Sequence, residues 1–198
     1  MLFVANNLDF LNEIGQSTLH DNSIFLSDFY NPNCCRTAIL ISQSQDSGDA
    51  MALRQGSVPQ IRKGQLTKQH GHLVIAMCFY PRGLKKELRD EYRADLAPDR
   101  ILFKEFKEFQ KRFGHEAGFI QSHYEKRFSL SPNALEHLKE LSELSKIKDV
   151  YLVCQCTIGE RCHREMLLLT AEKLYGAAIG QVFQEYSVHL NRLEKMIV

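Results

Sequence analysis

The chain has no excess of either charge: 25 lysines and arginines face 24 acidic residues, a net of +1. That balance excludes a strongly basic, histone-like nucleic-acid coat and leaves room only for a local basic patch. Long apolar runs are also missing. None approaches the roughly 20 residues that a membrane span requires, so no membrane partner is expected. The opening segment, MLFVANNLDF, lacks the basic start and extended apolar stretch of a secretory leader, and a cytoplasmic setting is expected. Nor is there a regular cysteine framework. Cys34, Cys35, Cys78, Cys154, Cys156 and Cys162 are unevenly spread over a long chain, which reads as reduced thiols rather than disulfides. With 198 residues, 44% of them hydrophobic, the chain has enough material for one domain with its own core.

Charge is distributed unevenly along that domain. Residues 1–53 hold one base, Arg36, whereas 54–72 hold Arg54, Arg62, Lys63 and Lys68 and no acid. Gly, Ser and Gln cluster between 42 and 71, which reads as a flexible inserted loop. Three nearly continuous apolar runs read as strands: 23–30, 72–80 and 148–156, with 37–42 as a possible fourth. Helical spacing appears at 99–113, where Leu102, Phe106, Phe109 and Phe113 recur. It reappears at 132–146, where Leu135, Leu138, Leu141 and Leu144 recur behind Ser131 and Pro132. A third helix is expected over 163–176, closed by Gly176. Residues 177–198 read as an appendage, either helix or strand. Strands alternating with helices predict a single α/β domain over 1–198, a three-layer Rossmann-like sandwich with a mostly parallel sheet. In such sheets ligands bind beyond the carboxyl ends of the strands.

One strand end is rich in reactive groups. VYLVCQC leads through TIGER into CHRE, which opens a helix. Cys154 and Cys156 fall on one face of the strand, and Cys162, His163 and Arg164 at the helix start. Free amides and the helix dipole favour an anion there, and two basic side chains on a first turn oppose the dipole unless a negative partner answers them. An anion site at His163 and Arg164 is expected, with pairing of Arg164 to Glu160 as the competing structural reading. Cys162, at a helix start beside cations, is the thiol best placed to ionise. Cys154, Cys156, Cys162 and His163 also form a weaker alternative, a zinc set, although their spacing is not that of a familiar finger. Apart from that alternative no cofactor is expected. Cys78, inside an apolar run, reads as core.

A second basic element, FYPRGLKK at 79–86, follows the strand at 72–80. If the two strands are neighbours, Arg82 and Lys85 would share a crevice with Arg164, suited to a phosphate, a nucleotide or a nucleic-acid end.

The stretch DVYLVCQCTIGERCHREMLLLTAEKL resembles the C-terminal signature of the domain-of-unknown-function family 488, a buried strand, a cysteine, a G-E-x-C-H-R loop and a helix. LAPDRILFKEFK (96–107), HYEKRF (123–128), SIFLSDFYN (23–31) and LVIAMCFYPRGLKK (73–86) support the likeness. The resemblance implies a Rossmann-like domain whose site gathers Cys154, Glu160, Cys162, His163 and Arg164 at the strand ends. Pro81 matches a family proline and Ser27 a small hydroxyl position. Cys78 stands where the family often has an arginine, which would leave Arg82 to substitute, and the 42–71 segment is longer than usual. Nucleotide or nucleic-acid handling is the implied activity, with His163 as general acid/base and Cys162 as thiolate or loop anchor. A non-enzymatic sensor or partner-binding module with a structural Cys/His loop is the alternative.

Overall fold

Parallel pairing dominates the molecule because its apolar runs are continuous and buried on both faces. In the computed structural model, which describes residues 51–197, the strands are β1 (Leu53–Ser57), β2 (His72–Ile75), β3 (Glu91–Tyr92) and β4 (Val150–Cys154). They form one all-parallel sheet in the order β1-β4-β2-β3. Around it run α1 (Val58–Arg62), α2 (Arg100–Phe113), α3 (His115–Gln121), α4 (Tyr124–Arg127), α5 (Pro132–Leu144), α6 (His163–Tyr175) and α7 (Ser187–Ile197). This is an α/β sandwich. The described residues belong to one unit, Gln45–Val198. The expected strands at 23–30 and 37–42, and the extent of one domain over the full chain, lie outside them.

Alternation along the two central strands divides the core. Val74, Val150 and Leu152 join Phe106, Phe119, Leu138 and Met166 in a large cluster under the long helices. Leu73, Ile75 and Val153 join Val58, Ile61, Leu66 and Leu84 in a smaller one on the opposite face. Each fully buried aliphatic side chain contributes about 1.5–3 kcal/mol, so these two clusters fix the register of the sheet.

The helix signals hold. Asp99 accepts from the amides of Ile101 and Leu102 at 2.9 Å and starts α2. Ser131 accepts from Ala134 at 3.2 Å, with Pro132 in the first turn of α5. Gly176, at φ +65°, closes α6 in the left-handed conformation.

Two expectations need correction. The 42–71 segment is not a loop throughout, because residues 53–62 form β1 and α1. Its polar sequence LRQGS hides the strand: Arg54 bonds Asp149, and Gln55 donates to Glu165 and to the carbonyl of Gln181. Gly56 lets Leu66 and Val153 pack closely there, since a Cβ would stand 2.7 Å from Leu66 Cδ2 and displace it. The C-terminal appendage is also part of the body. Residues 178–180 bridge to Leu53, Tyr186 is buried, and α7 packs His189 beneath α6. The run at 72–80 leaves the sheet after Ile75, which frees residues 76–79 to turn over the strand ends. Among the described residues no helix is long and apolar enough to cross a membrane.

His189 gives a test of this packing. Burial, then the nearby Arg192, depress its pKa to about 4. Arg192 donates to Nδ1, leaving Nε2–H for the carbonyl of Met166 and a neutral ring. An unfolded His titrates near 6.5, so on acidification the unfolded chain takes up this proton first and the native state loses stability. Stability from this group is complete above about pH 6.5 and falls by roughly 3 kcal/mol by pH 4. Denaturant melts at pH 7 and pH 4 are expected to show a smaller loss for His189→Gln than for the parent.

Candidate active site

β4 ends at Cys154, and α6 starts at His163 with Cys162 as its N-cap. The turn between them folds back over the strand end. Glu160 closes it by accepting from the amide of Thr157 at 2.8 Å, and its backbone N–H bonds the Thr157 carbonyl. This brings three thiols together: the Sγ atoms of Cys154, Cys156 and Cys162 lie within 4.8 Å of one another. Cys154 and Cys156 are 3.8 Å apart. The cluster faces a cavity of about 250 Å³ walled by Phe79, Phe103, Phe106, Phe119 and Tyr124, with His115, Glu160 and His163 among its polar lining.

Beneath the thiols sits Arg164. Its side chain is wholly buried. One terminal nitrogen donates to the carbonyl of Gly56, and the other to those of Cys156 and Thr157, both at 3.1 Å. Its Nε has no hydrogen-bond partner. Among the described residues no carboxylate lies within ion-pair reach of it. Glu165, equally buried, spends its oxygens on Gln55, the amide of Phe183 and the hydroxyl of Tyr186. Carbonyl dipoles solvate a guanidinium but do not neutralise it, and an unneutralised buried ion costs several kcal/mol. The groups near enough to answer it are the thiols.

Cys162 is the one that ionises. Burial alone would push its thiol up, but hydrogen bonds from Cys154 and Cys156, with the charges of His163 and Arg164, hold it well below the ordinary range. Its neighbours respond in the opposite direction. Cys154, which interacts with Cys156 and with Cys162 in a buried setting, is pushed up to about 12. The Cys156 thiol is raised by its bonds to the other two. Of the three thiols, Cys162 is therefore the one whose surroundings favour the charged form. His163 completes the set: its Nδ1 is 3.5 Å from Cys162 Sγ, and its Nε2 is 2.7 Å from the carbonyl of Ala76. A carbonyl can only accept, so Nε2 carries a proton and Nδ1 faces the sulfur. Cys78 also lines the cavity but donates to the carbonyl of Pro98 at 3.0 Å, and burial raises its pKa.

The site differs from the sequence reading in several respects. Arg164 is not an open anion ligand, nor is it paired with Glu160. It is an internal cation. Arg82 and Lys85 are exposed and do not line the cavity, so the two-sided cationic crevice does not form. The turn carrying Arg82 is tied by its carbonyl to Arg62 instead. The amide of Cys162 is occupied by the hydroxyl of Tyr186 at 2.9 Å. Ser27 lies outside the described residues. The zinc alternative assembles only in part. The three thiols converge without His163, one donor short of a closed zinc site, and His115, Cys156 and Glu160 form a second group of three. Sequence reading missed the aromatic wall and His115. Phe106 and Phe119 sit at core spacing and are buried, and nothing in spacing says that one edge of each ring meets a cavity.

With this geometry in hand, the comparison with known families is specific. The model of DUF488-N3a, described as the active DUF488-N3 subclade, matches residues 60–173. The chain belongs to the DUF488-N3a family. No curated protein and no solved structure matches it. The matched span runs from α1 into the last turn of α6, and so contains the whole thiol cluster and the aromatic wall.

Two outcomes follow from the internal ion pair. The native state holds the Cys162 thiol well below the ordinary range, whereas an unfolded thiol titrates near 8.5. Between the depressed native value and about 8.5 the unfolded chain binds the extra proton, so stability rises with pH through that window. It is complete above the window and lost as pH falls through the native value. Melts of the parent and Cys162→Ser are expected to converge at low pH and to separate as pH rises toward 8. Replacing the cation by Arg164→Met leaves the thiolate and three carbonyls unanswered, and is expected to cost about 3–5 kcal/mol in urea denaturation at pH 8.

Proposed function

We propose that this protein is a cysteine-dependent enzyme acting on a nucleoside or nucleotide, with Cys162 as nucleophile and His163 as its proton partner. The observation that carries the reading is Arg164: a buried guanidinium without a carboxylate, set under a thiol that opens onto a cavity. A structural cation of this kind would be expected to pair with an acid. Here it holds a reactive anion at the carboxyl end of a parallel sheet, where ligands of such folds bind.

The division of labour follows from position. Arg164 fixes the charge on Cys162 without touching substrate. Cys154 and Cys156 donate to the sulfur and temper its basicity. The thiolate forms a bond to an electrophilic carbon, and the electron pair displaced from that carbon moves onto its heteroatom. His163, which holds the thiol proton on Nδ1, returns it to that heteroatom. The Ala76 carbonyl keeps the ring in the orientation this needs.

The substrate class rests on the wall and the rim. Flat aromatic side chains favour a planar ring, and base–aromatic stacking is worth about 1–3 kcal/mol per base. The cavity of about 250 Å³ lies just below the usual range of small-molecule sites, which suits a small ligand. At the rim, exposed Lys107 hydrogen-bonds Gln110 at 2.6 Å and has no carboxylate partner among the described residues, which leaves a cation for a phosphate.

Alkylation tests the reading directly. Iodoacetamide at pH 6.5 is expected to label Cys162 ahead of the other described thiols, with nucleosides and nucleotides slowing the reaction as they fill the cavity. Labelling that needs an alkaline pH typical of a free thiol would contradict the reading. So would stoichiometric zinc in the purified protein, which would favour the structural Cys/His loop instead.

A further inference from the structure

A nucleophile needs one thiol, and at this site three converge. We infer that Cys156 is a resolving thiol for Cys162, so that a hydroperoxide converts the pair reversibly into a disulfide and switches the site off. The inference rests on the assignment of Cys162 as the reactive thiolate and concerns the regulation of that site.

The geometry selects Cys156. All three Sγ atoms lie within 4.8 Å, so either neighbour needs only a short closing movement to reach the 2.05 Å of a disulfide. The two neighbours are not equally free to make it. Cys154 is the last residue of β4, paired in register with Ser57 and buried. Cys156 lies on the bend beyond the strand, partly exposed and lining the cavity. Its carbonyl is held by Arg164, which anchors the backbone and leaves the side chain to rotate toward Cys162.

The chemistry balances in two steps. The Cys162 thiolate attacks one oxygen of the hydroperoxide. An S–O bond forms as the O–O bond breaks, and the second oxygen leaves as hydroxide or alkoxide and takes up a proton. The sulfur is oxidised and the peroxide reduced. The Cys156 thiol then attacks the sulfenic sulfur; the S–S bond forms, the S–O bond breaks, and the hydroxyl leaves as water with the thiol proton. An external dithiol restores both residues. A thiolate beside a buried cation, opening onto a cavity, is the kind of sulfur that a small peroxide oxidises first. Without a partner it would go on to the sulfinic acid, which is irreversible for most proteins.

The test is treatment of the full-length protein with one equivalent of hydrogen peroxide, followed by non-reducing peptide mapping. A Cys156–Cys162 cross-link is expected, with loss of Cys162 alkylation and recovery of both on adding dithiothreitol. In Cys156→Ser, Cys162 sulfinic acid is expected to accumulate roughly tenfold faster than in the parent. The parent map decides the matter even where that variant does not fold. Cys162 overoxidised in the parent without a cross-link overturns the inference, as does a bridge that joins Cys154 to either partner. Fast alkylation of Cys162 at low pH with no cross-link removes the switch and leaves the enzyme reading intact. A Cys162 that neither alkylates at low pH nor oxidises removes both.

Discussion

A guanidinium sealed inside the protein without an acid to answer it is the constraint around which this site is organised. Arg164 is wholly buried and is solvated by three backbone carbonyls. Dipoles of that kind reduce the cost of burial but leave a positive charge in place. The Cys162 thiol, held well below its ordinary range, is the group that answers it. In turn the charge makes a thiol, otherwise raised by burial, the most acidic of its cluster. Stability and reactivity therefore share one interaction. The same pair ties α6 to the end of β4 and lowers the pKa of the thiol proposed as nucleophile.

The remainder of the fold brings other parts to that pair. The carbonyl of Gly56 comes from β1, those of Cys156 and Thr157 from the turn after β4, and that of Ala76 from the end of β2. Three adjacent strand ends are thus read by two consecutive side chains, His163 and Arg164. The long helices supply the opposite wall. Gly118 lets α3 approach α2 so closely that a Cβ would stand 2.7 Å from the Gln110 amide, and this contact sets the aromatic residues over the thiols. Tyr186, from the segment before α7, closes the site from behind by taking the Cys162 amide and donating to Glu165.

Much of this was legible in the sequence. Continuous apolar runs mark β2 and β4, and caps at Asp99, Ser131 and Gly176 mark the helix ends, because these signals act locally. The placement of Cys162 and His163 at a helix start is equally local. What spacing does not reveal is direction. Arg164 looks like a ligand-binding arginine on the helix surface, yet it points inward, since the fold offers it three carbonyls there. Arg82 follows a neighbouring strand but is exposed, on a turn that buries Leu84 in the smaller core cluster and whose carbonyl is held by Arg62. β1 is hidden because its polar side chains find partners at the edge of the sheet rather than alternating between core and solvent.

The central claim is that Arg164 and Cys162 form one charge-balanced unit, and a double-mutant cycle in folding stability addresses it most directly. Arg164→Met, Cys162→Ala and the combined variant would be compared with the parent by urea denaturation at pH 8. The account predicts strong coupling, roughly 1.5–3 kcal/mol, with the second substitution costing far less once the first is present. Losses that add to within about 0.5 kcal/mol would contradict it, for they would show that the buried cation and the thiol do not sense each other.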